Sequence, residues 1–225
     1  MRKGRKLIGV IWVAALIGVL ASSSALAADF AVTAKFGTPG LGGDLTKGIV
    51  PNINGRLNIN WLNYDYSSTA SDVAYSFNLK LLTIGALADW YPGEGGFRVT
   101  GGIYFNNNQI SGTGRLTSGG PFEIGPNTYT AAQLGALTAG IDFNTLAPYI
   151  GIGWGNPLRQ ESRWTFAFDL GVLYQGSPKV TLTATNPTAI AALNTDLATE
   201  QDSVAQALRS FKFYPVLTLG ISYNF

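Results

Sequence analysis

The sequence of this 225-residue chain places charged side chains of both signs on the polar faces of its predicted strands. They are the cations Lys35, Lys80, Arg98, Lys179 and Lys212 and the anions Asp44, Asp65, Asp89, Asp142 and Asp169, with Tyr104 on the same face as Arg98. Opposite charges that share a narrow interior should pair and hydrogen-bond, because a lone buried charge is costly. The sequence therefore predicts either an interior plugged by ion pairs, which we favour, or a narrow polar channel for small solutes.

The composition argues against catalysis. The chain contains no histidine and no cysteine, so neither a Ser–His–acid arrangement nor a Cys/His metal site can form. The glycine-rich stretches GTPGLGG (37–43) and GTGRLTSGG (112–120) do not predict phosphate loops, and the first lacks the Gly-Lys-Ser/Thr ending of such a loop. We expect no enzyme activity, no metal and no cofactor.

A two-residue alternation of apolar and small or polar residues indicates the strands that carry the charges. It is clear in residues 97–106 and 164–174, where large apolar residues alternate with Gly, Ala, Thr and single charges. Only 12% of the chain is charged, whereas soluble domains contain about 25%. Aromatic residues gather near the strand ends, as they do in the girdles of outer-membrane barrels. The pattern therefore favours a barrel with a lipid-facing exterior over a soluble β-sandwich.

Residues 1–27 have the three-part layout of a secretory signal peptide. Four cations precede the apolar run LIGVIWVAALIGVL (7–20) and the small-residue stretch SSSALA (22–27). The run is shorter than the ~20 residues of a membrane-spanning helix. We expect cleavage between Ala27 and Ala28, which leaves 15 − 4 = 11 cations against 13 acids. The mature chain, residues 28–225, is then slightly acidic and gives no case for binding nucleic acid.

The C-terminal stretch VLTLGISYNF carries a spaced pattern, with Thr218, Gly220, Tyr223 and the final Phe225 at fixed intervals. It resembles the C-terminal assembly signal of bacterial outer-membrane β-barrels, which their insertion machinery reads. Residues 28–225 more diffusely resemble small Gram-negative barrels of the OmpA, OmpX and OmpW kind, through stretches such as LAPYIGIGWG (146–155). The resemblance implies an outer-membrane location, with lipid and lipopolysaccharide as neighbours. The last strand should close against the strand that begins near Phe30.

Turn signals divide the mature chain into candidate strands at about 30–37, 41–50, 55–66, 74–90, 97–109, 132–143, 148–156, 163–175, 178–185 and 212–225. We prefer a ten-stranded closed antiparallel barrel, with turns 51–54, 92–96, 144–147 and 176–178 in the periplasm and segments 67–73, 110–131, 157–162 and 186–210 outside. An eight-stranded alternative would fuse 30–50 and 163–185 into two long strands. The alternation slips at Trp61-Leu62 and at Leu81-Leu82, and both slips predict β-bulges.

Residues 186–210 interrupt the strand pattern with apolar residues at helical spacing. They predict a helical insertion before the last strand, which either caps the barrel mouth or offers a partner surface. We favour a structural or interaction role, with the outer loops 110–131 and 186–210 as contact surfaces. The alternative is a narrow porin-like channel for small polar solutes.

Overall fold

The computed structural model describes residues 30–70, 73–93, 95–116, 122–159, 162–185 and 191–225. The predicted signal peptide and its cleavage position, Ala27 and Ala28, lie outside these residues. The elements in chain order are β1 (Phe30–Gly37), β2 (Gly40–Val50), β3 (Ile53–Ala70), β4 (Val73–Trp90), β5 (Phe97–Asn106), β6 (Gln109–Leu116), β7 (Phe122–Ile124), β8 (Asn127–Tyr129), α1 (Ala131–Leu134), β9 (Ala136–Asp142), β10 (Leu146–Trp154), β11 (Trp164–Tyr174), β12 (Lys179–Ala184), α2 (Ala191–Ala207) and β13 (Phe213–Asn224).

Eight antiparallel strands close into a barrel in the order β1, β2, β3, β4, β5, β10, β11 and β13. The first and last barrel strands pair along their length, from Ala31 opposite Asn224 to Gly37 opposite Thr218. The backbone N–H of Phe225 donates to the carbonyl of Phe30 at 3.3 Å, at the position where the sequence placed the closure. The prediction of a closed antiparallel barrel is therefore confirmed, while the preferred count of ten strands is wrong.

The two surplus strands, predicted at 132–143 and 178–185, are β9 and β12, and they lie outside the barrel wall. The reason is that β4 is 18 residues long and has two successive partners on one edge. Its second half, Thr83–Trp90, pairs with β5, and its first half, Val73–Lys80, pairs with β6. Strand β6 then pairs with β9, and β9 with β12. These strands extend the sheet beyond the barrel rather than adding to its wall.

The eight-stranded alternative has the strand count that the structure shows, but it fused segments that the structure keeps apart. Strands β1 and β2 form a hairpin through Thr38 and Pro39, and Gly40 takes the positive φ of 102° that an L side chain rarely adopts. Strand β11 belongs to the barrel, whereas β12 does not.

The corrected strand count changes which connections share an end of the barrel. Phe30, Phe225, the β2–β3 turn and the described residues of the β4–β5 and β10–β11 connections lie at one end of the barrel, which we call the terminus end. Turns 144–147 and 176–178, predicted beside the termini, lie at the opposite end instead. Segment 157–162 was predicted at the opposite end, and its described residues lie at the terminus end. Removing β9 from the wall inverts the direction of the next strands, which explains both errors.

Beyond the barrel, at the opposite end, the chain forms a second unit that we call the extension sheet. It consists of Leu62–Ala70 of β3, Val73–Leu81 of β4, and β6, β9 and β12. Antiparallel partners that face each other directly share one face of a sheet. The face that carries Leu62, Leu79 and Leu137 therefore continues the barrel interior, and we call it the inner face.

The inner face is covered at its β9 and β12 side by α1, α2 and the β7–β8 hairpin. Their buried side chains pack against Leu137, Leu182 and Ala184, and they are Ile124, Tyr129, Leu134, Leu193 and Leu197. Helix α2 lies within segment 186–210, and residues 186–190 are outside the described part of the chain. The carboxylate of Asp196 fixes this covering layer: Tyr129 Oη donates to it at 2.5 Å and Asn127 Nδ2 at 2.8 Å.

The predicted bulges at Trp61-Leu62 and Leu81-Leu82 do not occur, because the β3–β4 register runs unbroken through Trp61 opposite Leu82 and Leu62 opposite Leu81. Two apolar residues follow each other there for another reason. Trp61 points outward from the barrel and ends its apolar exterior, while Leu62 begins the apolar part of the inner face.

The exterior of the barrel is a belt of exposed large apolar side chains. Examples are Phe166, which is 81% exposed, and Ile150, which is 69% exposed. Aromatic pairs lie at both ends of the belt. The ring centroids of Trp164 and Tyr223 are 4.9 Å apart at the terminus end, and those of Tyr174 and Phe213 are 5.4 Å apart at the other end. This arrangement matches the apolar band and aromatic girdles of barrels that span outer membranes. Among the described residues, no helix is long and apolar enough to cross a bilayer.

Candidate functional site

Six buried charges from six different strands meet in the barrel interior, and we call them the ion-pair network. They are Lys35 (β1), Asp44 (β2), Arg56 (β3), Asp89 (β4), Arg98 (β5) and Asp169 (β11). Alternation points each of them inward, so the closure of the barrel places them at one level. Three cations then face three carboxylates, and the set is electrically balanced.

Arg56 is the centre of the network, because its guanidinium contacts all three carboxylates. Its Nη2 lies 2.9 Å from Asp89 Oδ1, and its Nη1 lies 3.1 Å from Asp169 Oδ2 and 3.4 Å from Asp44 Oδ2. Such a fork of donors holds several carboxylates in fixed positions at once. Asp44 and Asp89 lie on the two strands next to β3, whereas Asp169 lies on β11 at the opposite side of the wall, so the contact between Arg56 and Asp169 crosses the lumen.

The remaining two cations complete the network at its sides. Lys35 Nζ lies 2.9 Å from Asp44 Oδ1, and Arg98 Nη2 lies 2.7 Å from Asp169 Oδ1. Arg98 also donates to the backbone carbonyl of Gly155 at the terminus end. All six charged side chains are at least nine-tenths buried, so each depends on its partners for the stabilisation that water would otherwise supply.

Neutral polar side chains saturate the carboxylates further. Thr100 Oγ1 donates to Asp89 at 2.6 Å, Asn58 Nδ2 donates to Asp44 at 2.5 Å, and Thr218 Oγ1 donates to Asp169 at 3.2 Å. Thr218 belongs to the predicted assembly signal, and the structure places its hydroxyl inside the barrel. A network with this many partners is rigid, because each group is held by several bonds.

An apolar layer lies next to the network on the side of the opposite end. Its buried members are Leu87, Tyr104, Ala147, Tyr149, Leu173 and Val216. The rings of Tyr104 and Tyr149 meet edge to face at 5.5 Å. Each ring also packs against a glycine: a Cβ on Gly85 would come within 2.5 Å of the Tyr104 ring, and one on Gly171 within 2.6 Å of the Tyr149 ring. The two glycines therefore make room for the rings that fill the interior.

The structure brings together only some of the residues that the sequence singled out. Lys35, Asp44, Asp89, Arg98, Tyr104 and Asp169 lie in the barrel interior. Lys80, Asp142, Lys179 and Asp65 lie on the outer face of the extension sheet, and Lys212 lies in a 3₁₀ turn before β13. They share the alternation of the barrel strands, but they belong to segments outside the wall.

Sequence reasoning missed Arg56, the centre of the network. The signal was present in INGRLNINW (53–61), where Asn54, Arg56, Asn58 and Asn60 alternate with apolar residues. All four are buried, whereas Leu57 and Ile59 are exposed on the exterior.

The rest of the predicted assembly signal lies at the seam between the first and last strands. Gly220 is opposite Lys35, and a Cβ there would come within 2.8 Å of the carbonyl oxygen of Ala34. The ring of Tyr223 stands 5.3 Å from that of Phe225, next to Trp164. The last residues therefore form part of the aromatic girdle at the terminus end.

Outside the barrel, the hydrogen bonds from Tyr129 and Asn127 lower the pKa of the Asp196 carboxyl below its usual range. The same contact with Asp196 raises the pKa of the Tyr129 hydroxyl. The interaction is therefore strongest with Asp196 ionised and Tyr129 protonated. It ties the β7–β8 hairpin to α2 in that state.

Comparison with known proteins finds no matching protein-family model and no similar curated protein. Among solved structures, Acinetobacter baumannii CarO2 is similar over 88% of this chain and 99% of its own, with 22% identity and a TM-score of 0.58. Acinetobacter baumannii CarO is similar over 88% and 98%, with 20% identity and a TM-score of 0.56. A major outer membrane protein of Thermus thermophilus gives a TM-score of 0.45 at 17% identity. The chain therefore shares the barrel fold of the two CarO structures.

Proposed function

We propose that this protein is an outer-membrane barrel of structural or interaction type, which holds the extension sheet outside the cell as a contact surface. The barrel in this proposal is an anchor rather than a pore. The extension sheet and its covering helix stand beyond the apolar belt, where they are available to a partner.

The observation that carries the proposal is the ion-pair network. Its contacts link six of the eight barrel strands across the lumen, and Arg56 holds all three carboxylates. A polar solute would first have to break balanced ion pairs and then cross the apolar layer around Tyr104 and Tyr149. An eight-stranded barrel is only wide enough for its side chains to fill the interior.

The placement in the outer membrane rests on the exterior. The apolar belt and its two aromatic girdles suit a bilayer, and the outermost polar segments suit contact with lipopolysaccharide. The terminus end then faces the periplasm, and the extension sheet faces outward. The barrel-assembly machinery would read the last strand, from Thr218 to Phe225. The absence of histidine and cysteine supports a role without catalysis.

Liposome swelling tests the proposal against the channel alternative. The purified, refolded protein is inserted into liposomes that are then diluted into isotonic solutions of glycerol or arabinose. A closed barrel gives the slow swelling of protein-free liposomes, and a general porin serves as the positive control. Swelling that rises with the amount of inserted protein would contradict the proposal and favour the channel.

A further inference from the structure

The extension sheet has two long edges, and the chain treats them differently. At one edge lies β12, where the backbone N–H of Leu182 donates to Gln201 Oε1 of α2 at 3.2 Å. Helix α2 packs along this edge and the adjoining inner face, so a further strand has no access to it. This is one of the ways in which proteins protect a sheet edge from pairing with other chains.

At the other edge lies the distal part of β3, and it is open. Strand β2 pairs with β3 only as far as Leu41 opposite Trp61. From Asn63 to Thr69, β3 pairs with β4 on one side, and no described strand lies on its other side. Its side chains are exposed along this whole stretch. Every second residue therefore presents its backbone N–H and C=O groups to open space.

The open edge lies outside the lipid-facing belt. Along the outward face of β3, the exposed apolar residues Leu57, Ile59 and Trp61 give way to Asn63 and Asp65. Asp65 and Asn63 both accept hydrogen bonds from Asn78 of the neighbouring strand, at 2.6 and 2.9 Å. This change of polarity indicates that the open edge begins where the bilayer ends.

The edge also lacks the devices that usually prevent strand pairing. Protected sheet edges carry lysine, proline or bulges. Residues 63–69 instead read NYDYSST, with Asp65 as the one charge. Tyr64 and Tyr66 lie on the inner face, 54% and 53% exposed, beside the exposed rings of Tyr75 and Phe77. Tyrosine and threonine favour strands, so the stretch is a ready template.

We propose that residues Asn63–Thr69 bind an extended segment of another protein, which adds to the extension sheet as a further antiparallel strand. Unpaired backbone groups at strand spacing specify this occupant, because a second polypeptide in extended form satisfies all of them. The inference deepens the proposed function by naming the class of partner, and it rests on the extension sheet being the contact surface.

The side chains beside the edge define the sequence of that strand. Residues opposite Tyr64 and Tyr66 share the inner face and meet exposed rings, which favours apolar or aromatic side chains there. The residue opposite Asp65 lies on the outer face, where a lysine or arginine complements the carboxylate. The partner strand therefore alternates apolar and basic residues.

The partner is a different protein rather than a second copy in the same membrane. An antiparallel pair requires two strands that run in opposite directions. Two barrels inserted alike in one bilayer both direct β3 away from the membrane, so their open edges run the same way. The chain contains no cysteine, so a Ser67→Cys variant reports self-pairing directly as a disulfide-linked dimer.

The test uses the full mature chain in detergent micelles and a fluorescent synthetic peptide in which valine alternates with lysine. Fluorescence anisotropy measures binding, and hydrogen exchange locates it. We expect binding that slows exchange in Asn63–Thr69 but not in Lys179–Ala184. A peptide N-methylated on alternate residues should not bind, because its backbone can no longer donate along one edge. No binding, equal binding of the methylated peptide, or protection elsewhere would overturn the proposal.

Charge reversal at Asp65 tests the open edge, and the same reversal at a distant residue is its matched control. Asp65→Lys should weaken binding of the lysine peptide several-fold, whereas Asp202→Lys on α2 carries the same charge change away from the edge and should leave it unaltered. Equal weakening would mean a general charge effect and would overturn the proposal, as would a disulfide-linked dimer of Ser67→Cys. These measurements do not depend on solute flux. A barrel that conducts solutes and still binds the peptide would therefore contradict only the proposed function.

Discussion

The barrel and the extension sheet share the long strands β3 and β4 but treat polar groups in opposite ways. Inside the barrel, every strand has two neighbours and each buried charge has an opposite partner. In the extension sheet, β4 is the one described neighbour of residues Asn63–Thr69 of β3, whose polar and aromatic side chains are exposed. The comparison separates a part whose charges are paired within the barrel from a part that we propose is contacted by another protein.

A change at the closure of the barrel should have the largest effect on membrane insertion, because closure depends on the last strand. Deleting Phe225 removes a girdle ring and the N–H that bonds to Phe30. We expect loss of most of the heat-modifiable barrel from the outer membrane. As a control, replacing Phe122–Tyr129 of the covering layer by a short linker should leave insertion intact. Normal insertion of the chain that lacks Phe225 would show that the closing residue is dispensable.

A substitution in the ion-pair network should have the second largest effect, a loss of stability. Arg56→Ala leaves three buried carboxylates with two cations, and removing one partner of a buried charge costs about 3–5 kcal/mol. Urea unfolding in micelles measures the change in free energy of unfolding. Lys179→Ala is the matched control, since Lys179 is a cation of the extension sheet and is exposed. Similar small losses in both variants would mean that the network contributes little.

Packing in the apolar layer can be tested at two glycines of the barrel wall. Gly171→Val would press a side chain into the ring of Tyr149, and such overpacking costs about 1–3 kcal/mol. Gly101→Val places the same group where a Cβ meets no atom within 4 Å, so we expect little change. Urea unfolding compares them, and equal stability of the two variants would argue against a filled interior.

The covering layer of the extension sheet should depend on pH. The pKa of Asp196 is lowered by its hydrogen bonds, so the stabilisation is complete above the ordinary carboxyl value of about 4 and is lost as the pH falls through the lowered value. Hydrogen-exchange protection in β7 and β8, corrected for the intrinsic pH dependence of amide exchange, should therefore fall in acid. Asp196→Asn should show low protection at neutral pH and a smaller change with pH. Protection that does not change with pH in the unmodified chain would contradict this.

Alternation along the sequence predicted the barrel strands, their two faces and the closed antiparallel barrel, but it missed β6, β7 and β8 in and beside the predicted outer segment 110–131. It could not give the strand count, because β9 and β12 alternate like barrel strands while their partners are fixed by long-range register. The same limit explains why Lys80, Asp142 and Lys179 were grouped with residues of the interior. Arg56 could have been found from its own alternation, since its neighbours Leu57 and Ile59 face outward.

The open edge of β3 was beyond the reach of sequence reasoning. Whether a strand is an edge depends on where its neighbour stops, and β2 stops opposite Trp61 because the chain turns at Pro39 and Gly40. The sequence of β3 reads as a uniform strand on both sides of that point. Only the assembled sheet distinguishes the paired part from the open part.

Single-channel recording in a planar bilayer tests the central claim, a lumen closed by the ion-pair network, most directly. The purified, refolded protein should insert without reproducible conductance steps, because Arg56 and its three carboxylates bridge the interior. Reproducible steps of the unmodified protein, altered in ion selectivity by Arg98→Gln, would contradict a closed lumen.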